Sequence, residues 1–278
     1  MSELSDLPSL TATLAAYSLR ADKRLGQHFL LDANITDRIA RLTGDISDVH
    51  VMEIGPGPGG LTRSILMCGA RKVTAVEMDN RFLPLLQDVQ RVSGDRLSVI
   101  EADGLKVDPA TLGVTRIAAN LPYNVGTKML TNWLTAQPPF WDRLVLMFQK
   151  EVAERVVARP GDNAYGRLAI LTAAVASSHI AMTVPAHCFS PPPKVDSAVV
   201  VLDILPQGER FADLKTLGQI TAGAFNQRRK MLRQSLKSIA KKHDLILQDW
   251  LTGAGIDPTQ RAETVTPAQF QALASNIK

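Results

Sequence analysis

The 278-residue chain is poor in sulfur nucleophiles and aromatic rings and has no long apolar run. Its two cysteines, Cys68 and Cys188, show no metal-ligand spacing. Two free thiols, buried as small apolar residues in a reducing cytoplasm, are expected, and no metal. No stretch approaches the roughly 18 apolar residues that a membrane-spanning helix needs, so no membrane partner is expected. The opening segment, Met1–Pro8, has two acids and no base, which does not read as a signal peptide. Aromatics are only 5% of the chain, so each one inside a motif carries weight. Acids are missing altogether from Phe225 to His243.

What is present is a normal apolar fraction, 45%, enough for a core in one large domain or one domain plus a small one. The net charge of +4 is uneven. Residues 206–278 hold 11 basic and 6 acidic residues, whereas the preceding 205 hold 20 and 21. A basic lobe on a near-neutral body suggests a polyanionic partner. From about His50, strand-like and helix-like segments alternate, which implies a doubly wound parallel sheet. Strands are expected at 49–54, 72–77, 97–101, 115–119 and 143–148. Two more, at 179–184 and 197–205, are separated only by a proline-rich loop and should pair antiparallel. The total is a seven-stranded sheet. After Pro206-Gln207-Gly208 only helical segments follow. The expected division is a catalytic domain over 1–206, with a cap segment over 1–48, and a small all-α domain over 207–278.

Two motifs carry the chemistry. Gly55-x-Gly57-x-x-Gly60 lies between a strand and a helix, where glycines let the backbone approach a ligand closely. Glu77, at the end of the next strand, suits a ribose diol, because a carboxylate accepts from both hydroxyls. NAD and S-adenosylmethionine both carry that diol. Glu53 before the first glycine, Asp103 placed for an adenine amino group, and the motif after the fourth strand favour S-adenosylmethionine. That motif is Asn120-Leu121-Pro122-Tyr123. An adenine amino nitrogen is a poor nucleophile, because its lone pair is delocalised into the ring. Acceptors for its hydrogens favour a pyramidal nitrogen with the lone pair aimed at the methyl group. The Asn120 side-chain oxygen and the Leu121 carbonyl are such acceptors. Pro122 sets the turn, and Tyr123 stacks on the base. The fold expected is therefore a Rossmann-like, seven-stranded methyltransferase fold with a small helical C-terminal domain.

With these motifs the chain resembles the ribosomal RNA adenine dimethyltransferases of the small subunit over about residues 20–275. Lys23–Leu30, Glu53–Thr62, Val76–Asp79 and Asn120–Tyr123 resemble the family's cap, glycine loop, ribose acid and catalytic loop. Phe189–Ser197 and Phe225–Arg233 resemble two further family segments. The resemblance implies two methyl groups on N6 of each of two neighbouring adenosines. Their site is a hairpin loop near the 3′ end of 16S rRNA, in a late assembly intermediate, so roles in rRNA processing and ribosome biogenesis follow. It implies cofactor contacts at His28, Leu30, Gly55, Gly57, Glu77, Asp103 and Asn120. One common form of the cap has asparagine where this chain has His28, and a neutral imidazole offers one donor and one acceptor. Phe189 is implied as a second aromatic wall opposite Tyr123. A monomer is expected.

For RNA, the candidates are Arg20, Lys23 and Arg24 near the cap, and Arg228, Arg229, Arg233 and Lys237 in the basic lobe. Arg229, Arg233, Lys237 and Lys241 recur every four residues, which predicts one face of a helix over 229–241. Other readings remain. A large-subunit rRNA methyltransferase would share the core but not the Phe189–Ser197 and Phe225–Arg233 segments. An RNA-binding assembly factor without activity would not need intact Glu77, Asp103, Asn120 and Tyr123. An NAD oxidoreductase gives no account of Asn120–Tyr123.

Overall fold

The computed structural model describes residues 2–22, 26–123 and 125–277. Two short helices, α1 (Ser2–Ser5) and α2 (Leu10–Ala16), precede a two-residue strand, β1 (Phe29–Leu30), and helix α3 (Ala33–Arg41). Strand and helix then alternate: β2 (His50–Ile54), α4 (Gly60–Met67), β3 (Lys72–Glu77), α5 (Leu83–Ser93), β4 (Leu97–Glu101), β5 (Arg116–Asn120), α6 (Gly126–Leu134), β6 (Arg143–Gln149) and α7 (Lys150–Val157). Next come α8 (Arg167–Val175), β7 (Ala176–Val184), β8 (Phe189–Ser190) and β9 (Ser197–Ile204).

Seven strands form one sheet in the order β4-β3-β2-β5-β6-β9-β7. The five crossover strands are parallel, and β9 runs antiparallel to β6. The two strands flanking the proline loop are neighbours in this sheet, as their short connection requires. Val51, Val73, Ala75, Leu97, Ala118, Val145, Met147, Val199 and Val201 share one core with Ile39 and Ala40 of α3 and Ile65 and Leu66 of α4. Their alternate neighbours Met52, Val76, Ile117, Ala119, Leu144 and Leu146 are buried too, as in a sheet covered on both faces. β2 is followed outward on one side by β3 and β4, and on the other by β5. The strand order therefore reverses between β2 and β5, and such a switch point opens a crevice at the carboxyl ends of the strands.

The chain divides into two compact units, 1–153 with 179–203, and 154–178 with 204–278. The expected boundary at 206/207 lies close to the third crossing, at 203/204, but residues 154–178 cluster with the C-terminal helices. Within that second unit are α9 (Leu214–Asn226), α10 (Leu232–Ser235), α11 (Lys237–Lys242), α12 (Leu247–Gly253) and α13 (Pro267–Ser275). Tyr165 is buried there, donating to the Val265 carbonyl at 2.8 Å and meeting Phe225 edge-on. Thr266 and Gln269 cap α13 reciprocally.

The helix predicted over 229–241 is not continuous, a correction to the sequence reading. α9 ends at Asn226, residues 227–230 form turns, and α10 and α11 are four and six residues long. The cause is tertiary. The amides of Leu232 and Arg233 donate to the carbonyls of Gln260 and Pro258 at 2.8 and 3.1 Å, and Met231 bridges Arg261. Backbone partners from a distant segment replace the i−4 carbonyls that a helix would use. Among the described residues no helix is long and apolar enough to cross a membrane.

Candidate active site

The crevice is built where four strands, β2, β3, β4 and β5, end. After β2 the backbone turns through Gly55, Gly57 and Gly59, all at positive φ (68°, 50° and 81°), a region that favours glycine. The turn delivers Gly60 as the first residue of α4. A Cβ on Gly57 would sit 3.5 Å from the Phe29 ring, and one on Gly104 would stand 2.8 Å from Ile54 and from Met129. Gly104 thus leaves no room for a side chain, whereas a Cβ at Gly57 would make ordinary contact.

Glu53 and Glu77 are buried in the crevice. Glu53, 2% exposed, accepts from the Thr62 hydroxyl at 2.5 Å. Burial, reinforced by the charge of Glu77, pushes its carboxyl up to about 8. Glu77 accepts from the amides of Gly57 (3.0 Å) and Asp79 (2.8 Å), one on each oxygen. Burial raises its pKa as well. Each oxygen keeps a lone pair for a further donor. Asp103 follows β4 and accepts from the Leu105 amide at 3.0 Å.

Asn120 ends β5. Its side-chain nitrogen donates to the His28 carbonyl at 3.4 Å, which leaves its oxygen as an acceptor toward the cavity. Leu121 is buried and donates its amide to the Met147 carbonyl at 3.3 Å. The Pro122 carbonyl accepts from Val125 and Gly126, which turns the chain into α6. The Tyr123 hydroxyl is 2.9 Å from that of Ser197, and burial raises its pKa.

His28 Nδ1 lies 2.8 Å from the Pro191 carbonyl. A carbonyl only accepts, so Nδ1 is the donor of this bond. β1 pairs antiparallel with β8, Phe29 opposite Ser190 and Leu30 opposite Phe189, which clasps the cap to the proline loop.

His28, Leu30, Gly55, Gly57, Glu77, Asp103, Asn120, Leu121, Pro122 and Tyr123 all line one cavity of about 330 Å³. The model of the family described as ribosomal RNA adenine dimethylase matches residues 18–278. The chain belongs to that family. Two curated relatives are full-length matches, each called ribosomal RNA small subunit methyltransferase A. The one from Ruegeria sp. (strain TM1040) is 52% identical over 100% of this chain and 99% of its own. The one from Maricaulis maris (strain MCS10) is 51% identical over 98% and 95%. Among solved structures, a dimethyladenosine transferase from Plasmodium falciparum is similar at 26% identity and a TM-score of 0.77, covering 88% of this chain and 96% of its own. The 23S rRNA methyltransferase ErmE is similar at 26% identity and a TM-score of 0.67, covering 90% and 99%. Both support the methyltransferase sheet described above.

Other candidates of this dimethylase-family chain fall elsewhere. Phe189 is 4% exposed, belongs to the sheet core and does not line the cavity. The ring that faces Tyr123 is His28, with centroids 5.8 Å apart and planes 27° from parallel. Arg20, Arg228, Arg229, Arg233 and Lys237 are exposed. Arg228 is partly engaged, with Glu263 at 3.1 Å and the Asn163 carbonyl at 2.8 Å. Lys23 and Arg24 lie outside the described residues. Both cysteines are free and half-buried.

Sequence reasoning missed a clamp on the cap. Gln27 donates to Asp79 at 2.8 Å and accepts from the Asp22 amide at 2.9 Å. Arg81 grips the same Asp79 at 2.5 and 2.8 Å and holds its carboxyl below the usual range. Gln27 and Asp79 stood inside motifs already singled out, beside His28 and Glu77. Ser197 was the last residue of another. Their partners, not their identities, were invisible.

Proposed function

We propose that this protein transfers methyl groups from S-adenosylmethionine to N6 of two adjacent adenosines, two to each, in a hairpin loop near the 3′ end of 16S rRNA. The observation that carries this reading is the meeting of Asn120–Tyr123 with the glycine loop and Glu77 around one cavity. The cofactor supplies an activated methyl group. Glu77 accepts from its ribose hydroxyls, Asp103 from its adenine amino group, and the Gly55–Gly57 backbone admits it closely, with His28 and Leu30 in the cap above. The cradle of glycines and the lone pairs left on Glu77 fit such a ligand.

At the base end, the Asn120 oxygen and the Leu121 carbonyl accept from the amino hydrogens as the nitrogen becomes pyramidal. Acceptance that strengthens toward the transition state raises the rate rather than the affinity. Asn120 brings no charge beside a cationic donor. Tyr123 stacks on the base, which must leave its own stack to arrive there. Phe189 acts through its pairing with Leu30, holding the cap rather than facing the base. Basic residues at the cap (Arg20, Lys23, Arg24) and in the helical unit (Arg228, Arg229, Arg233, Lys237) hold phosphates of the small-subunit precursor. The protein works as a cytoplasmic monomer, late in small-subunit assembly.

The large-subunit reading rests on the likeness to ErmE, at 26% identity, against 52% for a small-subunit relative matched end to end. Methyl transfer from tritiated donor onto unmethylated small subunits tests the proposal, with large subunits and naked RNA as controls. Label is expected in dimethyladenosine of the small subunit. Label confined to large subunits, or none with donor bound, would overturn it.

A further inference from the structure

One glycine of the fingerprint is not explained by the turn. Gly55, Gly57 and Gly59 are at positive φ, but Gly60 is helical, the first residue of α4. Its missing side chain has another cause. A Cβ there would stand 2.8 Å from the Leu10 side chain and 3.2 Å from the Leu30 carbonyl. Gly60 and Leu30 both line the cavity. Leu10 belongs to α2, ahead of the span 18–278 that the family model matches. We infer that Leu10 and Leu14 are positioning residues of the donor site, through which the N-terminal segment holds the cap onto the glycine loop. The inference rests on the donor reading proposed above.

The segment is fastened in two ways. Its polar anchors reach the helices behind the glycine loop. Arg63, in the first turn of α4, donates to the Pro8 carbonyl at 2.6 Å and to the Thr13 hydroxyl at 3.5 Å. The Tyr17 hydroxyl donates to Asp88 of α5. Its apolar anchors reach the cap. Leu10, Thr13 and Leu14 are the buried residues of α2, and a spacing of three and four places them on one face. Leu14 shares a buried cluster with Phe29 of the cap and with Phe82, Leu85 and Leu86. Leu4 shares the main core with Leu30. The cap strand β1 is only two residues long and pairs with β8 through its backbone. Leu10 and Leu14 add side-chain packing to that pairing. A donor that touches Leu30 needs the cap in place. The docked segment therefore favours the donor, and by linkage the donor favours the docked segment by the same factor.

The test uses the full chain with S-adenosylhomocysteine as the probe. Leu10→Ala removes the contact on Gly60 and Leu30, and Leu14→Ala the contact on Phe29. Leu10→Met keeps most of the volume and serves as the rescue. Thermal unfolding confirms that each variant is folded. Both alanine variants should bind the probe about fivefold more weakly or worse, the low end of a coupling between sites, and Leu10→Met should bind nearly as wild type does. KM for S-adenosylmethionine should rise with the loss, and KM for small subunits should not. In wild type, saturating probe should slow hydrogen exchange at the Thr13 and Tyr17 amides, which bond within the segment, by a similar factor. Folded alanine variants that bind the probe as wild type does reduce Leu10 and Leu14 to packing and overturn the inference. So does exchange at Thr13 and Tyr17 that ignores the probe, a measurement on wild type that decides even if an alanine variant fails to fold. A wild type that binds the probe but methylates no small subunit loses the proposed substrate and leaves the inference standing. One that does not bind the probe removes both.

Discussion

The unit built on the sheet and the unit built on helices use charge in opposite ways. The first buries acids at its cavity: Glu53, Glu77 and Asp79 are all buried there. The second keeps its bases outside: Arg228, Arg229, Lys230, Arg233, Lys237 and Lys241 are all exposed. A buried group acts through a few fixed partners in a low dielectric, so each substitution has a steep and local effect. Exposed cations act through their sum and are screened by salt. Function in the first unit is a matter of placement, and in the second of number.

The sharpest way to break this contrast is at Asn120. Asn120→Ala should slow single-turnover methylation by about 10²–10³-fold, the loss typical of one preorganised hydrogen-bonding group. RNA affinity should move little. If quenched-flow methylation kept its rate while RNA binding collapsed, the placement argument would fail for the residue on which it leans most.

A smaller effect is expected from number. Replacing Arg229, Arg233 and Lys237 together with Gln should weaken binding to small subunits and reduce the slope of log K against log salt by about 2–3 units. Cofactor affinity should stay put. Because these residues lie in a turn, α10 and the start of α11, their effects should add without helix loss. Parallel salt lines with equal affinity would make the basic surface mere solvation.

The smallest effect concerns stability. Folding raises the Glu53 pKa from its ordinary carboxylate range to about 8, so the folded chain holds a proton that the unfolded chain releases. Its contribution is complete below about pH 4, the unfolded value, and is lost as pH rises toward the folded one. Glu77 is shifted in the same direction. Urea midpoints of wild type should therefore fall relative to Glu53→Gln between about pH 5 and pH 8. A gap between the two proteins that stayed constant with pH would place the Glu53 proton elsewhere.

The sheet was legible because each strand is a run of apolar residues bounded by turns, and the crossovers fix the parallel order. The donor end was legible for the same reason: Gly55, Gly57, Glu77 and Asp103 sit where strands stop. The base end was legible in Asn120–Tyr123 but not in what holds it. β1 and β8 are two residues each, too short to show a period, and they pair residues far apart in the sequence. Phe189 looked like a wall because it is aromatic beside prolines. Its burial follows from pairing with Leu30, which no local pattern announces. In the basic lobe, four-residue spacing suggested one helix, and the carbonyls of Pro258 and Gln260 overruled it.

The bond between His28 and the Pro191 carbonyl joins residues 163 positions apart. Chain emerges from a ribosome at about 5–20 residues per second, so the cap waits roughly 8–30 s for its clasp. During that interval the glycine loop and Glu77 have been made, but β8 has not, and the crevice lacks its cover. A growing chain therefore gains its complete pocket only after Pro191 has emerged.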